Sequence, residues 1–124
     1  MKKALVLAVF CLVGGLAGVA RADDADDTRA KQQYKEGVAL YEKGDYRAAI
    51  DKYRAADDVL HLPALPFNIA QAYRKLGDCK LALAFYRAYL ELDPESKQRD
   101  AILRRVQELE DELAGRTEVE PPVG

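Results

Sequence analysis

The chain has 124 residues, of which 49% are hydrophobic and 32% charged, with a formal net charge of −2. Its size is that of one small domain, its balance is soluble and globular rather than disordered, and its acidic excess excludes an electrostatic footprint for nucleic acid. Trp is absent, His occurs once, and alanine is abundant while β-branched residues are few beyond the first twenty positions, all of which favours an all-α fold.

The N-terminal segment MKKALVLAVFCLVGGLAGVARA is expected to stand apart from the fold. Lys2 and Lys3 precede an apolar run from Ala4 to Ala20, and Ala20-Arg21-Ala22 closes it. A basic start, an apolar middle and a small-x-small end mark a secretory signal peptide over residues 1–22, cleaved after Ala22. The competing reading is an uncleaved anchor, against which Gly14, Gly15 and Gly18 weaken the run as a helix. Phe10, immediately before Cys11, is too large for lipid attachment there. Cleavage removes Lys2, Lys3 and Arg21 and no acid, leaving a net charge of about −5. Cys79 is then the one remaining cysteine, so no internal disulfide is available. The expected location is the periplasm or the extracellular space, with membrane contact only through the signal peptide.

Residues 23–28, DDADDT, read as an acidic leader whose last residues cap the first helix. That helix is expected over about Arg29–Lys43, stopped by Gly44. Asp45 caps a second over Tyr46–Leu60, in which Tyr46, Ala49, Ile50, Tyr53, Ala56 and Leu60 share one face. Pro63 and Pro66 break the chain and suit the first turn of a third helix, about Leu65–Leu76, with Leu65, Ile69, Ala72, Tyr73 and Leu76 inward. Gly77 ends it. Asp78 caps a fourth, Cys79–Leu92, with Cys79, Ala82, Leu83, Tyr86 and Leu90 inward. After Asp93-Pro94 a fifth helix, about Glu95–Ala114, carries Ile102, Val106, Leu109 and Leu113. Gly115 is expected to end it, leaving a disordered tail over 115–124.

The stretch GDYRAAIDKYRAA, Gly44–Ala56, returns as GDCKLALAFYRAY, Gly77–Tyr89. A shift of 33 residues aligns Gly44 with Gly77, Asp45 with Asp78, Ala49 with Ala82, Tyr53 with Tyr86 and Arg54 with Arg87. A helix-turn-helix unit at this period is the mark of a repeat array. On these residues the chain resembles the tetratricopeptide repeat family. Ala70, Tyr73, Gly77, Asp78, Ala82, Tyr86 and Pro94 match its pattern closely; Gly37, Leu40, Gly44, Asp45, Tyr46, Ala49, Tyr53 and Ala56 match more loosely, with His61 where proline closes a unit. The wording of Leu65–Pro94 is also similar to that of small exported repeat proteins of Gram-negative bacteria.

The resemblance implies two units, over 29–62 and 63–95, and a solvating helix over 96–114. It also implies a non-catalytic module that binds a peptide or protein partner on a concave groove lined by the first helix of each unit. By overlay that groove takes Tyr34, Val38 and Tyr41 from the first unit and Phe67, Asn68, Gln71, Arg74 and Lys75 from the second, with Lys31 and Glu42 beside them. Phe67, Gln71, Arg74 and Lys75 lie opposite the third helix's buried stripe. Tyr34, Val38 and Tyr41 read equally as core. Asn68 stands where the family bonds either a ligand backbone or a neighbouring helix. Tyr34 and Val38 occupy two positions of the family's basic carboxylate clamp, so no such clamp is expected.

Catalysis has little to build on. His61 lies in a turn with no nucleophile or carboxylate at motif spacing, Cys79 reads as a small buried hydrophobe, and no metal, nucleotide or other cofactor motif occurs. Besides the adaptor reading, self-association into a homo-oligomer and a non-catalytic accessory subunit of an envelope complex remain open.

Overall fold

The structure, a computed structural model, describes residues 24–119, so the expected signal peptide and its cleavage point lie outside the described residues. Within that range the chain forms five helices and no strand. The helices are α1 (24–42), α2 (Tyr46–Leu60), α3 (Ala64–Leu76), α4 (Cys79–Leu92) and α5 (Arg99–Val119). Among the described residues no helix is long and apolar enough to cross a membrane.

Turn chemistry sets most of the boundaries. Gly44 and Gly77 end α1 and α3 with φ of 84° and 81°, a region open to residues without a Cβ. Asp45 and Asp78 then cap α2 and α4, accepting the Ala48 and Leu81 amides at 3.4 and 3.2 Å. Such a cap contributes about 1 kcal/mol relative to alanine. His61 explains the break in the repeat pattern. It ends α2 in the left-handed region with φ 47° and donates its amide to the Asp57 carbonyl. Proline, locked near −65°, cannot adopt that conformation.

Three boundaries differ from expectation. Residues 24–28, expected as a leader, form the first turns of α1, with Thr28 Oγ1 donating to the Asp24 carbonyl at 2.8 Å. Extending an existing helix needs no new nucleus, and the aspartates favour its N-terminal end. The fifth helix starts at Arg99 rather than near Glu95, because Ser96 is held in the connector. Its hydroxyl lies 2.7 Å from the Tyr89 hydroxyl and accepts the Gln98 amide at 3.1 Å. At the far end Gly115 does not stop α5, which continues to Val119 and so takes in part of the expected tail; residues 120–124 lie outside the described range. Arg116, one residue on, pairs with Glu112 at 2.7 Å and donates to the Gly77 carbonyl at 3.4 Å, tying this end to the α3–α4 turn.

The helices pack in sequence, α2 on α3, α3 on α4 and α4 on α5. One apolar cluster joins the two hairpins through Ala49, Ile50, Tyr53 and Ala56 of α2 and Leu65, Ile69 and Ala72 of α3. A second lies under α5, where Ile102, Val106 and Leu109 cover Cys79, Ala82, Leu83, Tyr86 and Tyr89. Tyr73 and Phe85 touch both clusters and stack at 5.7 Å. Tyr46, Leu60, Tyr73, Leu76, Leu90 and Leu113, all expected inward, are half-buried, while Tyr89, absent from the expected stripe, is buried.

The repeat is visible in contacts as well as in letters. Tyr34 meets Tyr53 edge-on at 6.0 Å, and Phe67 meets Tyr86 edge-on at 6.2 Å. Arg54 reaches forward to donate to the Tyr73 hydroxyl at 2.6 Å and lies over the Phe85 ring, and its counterpart Arg87 pairs with Glu110 of α5. Each second helix thus sends an arginine to the helix that follows its unit.

Candidate functional site

The first helices of the units are neighbours. Asn68 Nδ2 of α3 donates to the Tyr34 hydroxyl of α1 at 3.2 Å. Of the two roles left open for Asn68, the structure shows the bond to a neighbouring helix. Tyr34, Val38 and Tyr41 are half-buried and pack on the cluster that joins the hairpins, with Tyr41 edge-on to Tyr46 at 5.1 Å. Burial pushes the Tyr41 phenol up, and the positive charge of Arg74 partly opposes the shift.

Phe67 corrects the expected picture of α3. It is half-buried and packs into the second cluster, 5.3 Å from Tyr89 and 6.2 Å from Tyr86, rather than standing free of the buried face. The reason is tertiary: α4 turns Tyr86 and Tyr89 toward it. Truncating Phe67 therefore removes core contacts as well as any surface it offers.

Phe67, Gln71 and Arg74 converge on one recess of about 170 Å³, backed by Tyr86 and closed on its other side by Gln98 of the connector and Ala101, Ile102 and Arg105 of α5. Lys75 is exposed and does not line it. Arg74 Nε is buried with no hydrogen-bond partner. Arg105 is held by Glu108 at 2.7 Å. The contribution of Gln98, Ala101 and Arg105 was not anticipated. The signal was present, because a fifth helix standing in for half a unit occupies the next first-helix position and presents its own side chains to the row.

Other reactive groups are placed elsewhere. Cys79 is buried, its thiol pushed up mainly by that burial and further by Glu112. His61 is exposed in the inter-repeat turn. Among the described residues no group of three or more His, Cys, Asp or Glu side chains could hold a metal ion.

The family model described as tetratricopeptide repeat matches residues 67–96, which is most of α3, all of α4 and the first four residues of the connector to α5. No curated protein matches the chain. Among solved structures, the chain is similar to "First TPR of Spaghetti (RPAP3) bound to HSP90 peptide SRMEEVD", at 24% identity and a TM-score of 0.39, over 71% of this chain and 95% of that one.

Proposed function

We propose that this chain is an exported, non-catalytic protein-interaction module that binds a peptide segment of a cell-envelope partner along the row of α1, α3 and α5. The observation that carries the reading is the recess between α3 and α5, on which Phe67, Gln71 and Arg74 converge. The guanidinium of Arg74, which lines the recess, offers a partner's carbonyl or carboxylate a charge-assisted hydrogen bond. Gln71 and Gln98 supply further polar contacts, Phe67 and Ile102 an apolar floor, and Tyr34, Val38 and Tyr41 the continuation of the row toward α1. The tetratricopeptide repeat match over residues 67–96 supports the same reading, since the resemblance set out in the sequence analysis implies a peptide-binding row of first helices.

The test uses residues 23–124 as bait on an envelope extract, followed by mass spectrometry. Arg74→Ala should weaken capture of the specific partner by roughly 30-fold, the equivalent of about 2 kcal/mol for an interfacial arginine, with little change in melting. His61→Ala, remote from the recess, should capture normally. Equal capture by wild type and Arg74→Ala would overturn the groove as the binding surface.

Export rests on the Lys2-Lys3 start, the apolar run and the Ala20-Arg21-Ala22 end. N-terminal sequencing of the protein from its native host should begin at Asp23. A mature chain that begins at Met1 would remove the export reading while leaving the groove untouched.

A further inference from the structure

A second concavity, of about 540 Å³, wraps around the α3–α4 turn and shares no lining residue with the recess above. Its size is that of a typical ligand pocket. Tyr73, Leu76 and Leu113 give it an apolar floor, and Arg47, Lys80 and Arg116 line it with positive charge. Asp78 is the one carboxylate in the lining, and its Oδ1 already accepts the Leu81 amide as the cap of α4. Arg116 is engaged by Glu112 and the Gly77 carbonyl. Arg47 and Lys80, one from the first turn of α2 and one from the first turn of α4, make no ion pair among the described residues. The site is therefore locally cationic on a chain whose net charge is negative.

We infer that this concavity is a second docking site, for an acidic peptide segment of a protein partner. A carboxylate side chain seats between Arg47 and Lys80, and a neighbouring apolar side chain covers Tyr73, Leu76 and Leu113. Charge complementarity selects the occupant: a basic segment meets two unpaired cations, whereas an acidic one neutralises them and still finds apolar surface to bury. Because the cations are exposed, binding weakens as salt rises. The site goes beyond the proposed groove and stands without it.

The test takes residues 23–124 and a fluorescein-labelled hexapeptide of alternating Glu and Leu at low salt. Amide resonances of Gly77, Asp78 and Lys80 should shift on titration, and fluorescence anisotropy should fall away with added salt. The corresponding Lys-Leu hexapeptide should bind at least tenfold more weakly. Arg47→Glu with Lys80→Glu should reverse that preference without changing the melting temperature, since both side chains are exposed. Arg74→Ala should leave the hexapeptide's affinity unchanged, which separates this site from the groove. Shifts confined to Gln71 and Arg74, an unreversed preference, or no binding up to the solubility limit of the peptide would overturn the proposal.

Discussion

Truncation after Asp93 is expected to yield a chain that fails to melt cooperatively or aggregates. Such a chain keeps both hairpins and loses α5, and with it Ile102, Val106 and Leu109, which are 3%, 9% and 3% exposed. Each such side chain contributes roughly 1.5–3 kcal/mol by burial. The three together are comparable with the whole net stability of a small domain, about 5–15 kcal/mol. The loss also uncovers the apolar side of α4, where Leu83, Tyr86 and Tyr89 lie in the same cluster, and it removes the Glu110 partner of Arg87. Two stacked units leave one apolar face unpaired, and repeat arrays need an end cap with a polar outer side. Circular dichroism melting and gel filtration would check this. An unchanged midpoint and a monomeric profile in the truncated chain would show that α5 is not part of the core.

Gly37→Val is expected to cost about 2–3 kcal/mol. A Cβ added at Gly37 would stand 2.6 Å from Cε1 and 2.7 Å from Cδ1 of Tyr53, far inside van der Waals contact. The ring has little room to yield, being 2% exposed and braced edge-on by Tyr34. Burial also pushes its phenol up to about 12, so the ring is neutral across the physiological range. Overpacking of this kind typically costs 1–3 kcal/mol and occasionally more, and each kcal/mol lowers the melting temperature of a domain this size by roughly 4–8 °C. Gly115→Ala is the internal control. A Cβ there meets nothing within 4 Å, and alanine is the better helix former by up to about 1 kcal/mol, so that variant should melt slightly higher. If Gly37→Val melts with wild type, the close approach of α1 to Tyr53 is relieved at no cost and carries no structural role.

The contrast between these two glycines follows the division between what was legible in the chain and what was not. Gly44, Gly77, Asp45 and Asp78 were readable because a turn or cap depends on a residue's own backbone and on neighbours three or four positions away. The same locality made the 33-residue period visible, and with it the stacking of two hairpins under a covering helix. Pattern also identified Ile102, Val106 and Leu109 as the buried side of α5, because a helix with one apolar stripe has one face to hide.

The direction of Phe67 was not readable, because its helical position is on the outer side of α3 and only the approach of Tyr86 and Tyr89 makes it half core. The partner of Asn68 was undecided in the chain because α1 and a ligand offer equivalent acceptors; the distance to Tyr34 decided it. Gly115 looked like a stop until Arg116 reached across to Gly77 and held the helix on. The recess lined by Arg74 needs α3 and the chain around the start of α5, whose lining residues lie about thirty positions apart, to meet at one angle. The sequence by itself therefore determined the elements, most of their ends and their repeat, which are short-range properties of backbone and periodicity. Only the tertiary structure decided the side Phe67 takes, the partner of Asn68, the far end of α5 and the recess between α3 and α5, because these depend on how helices distant in sequence cross.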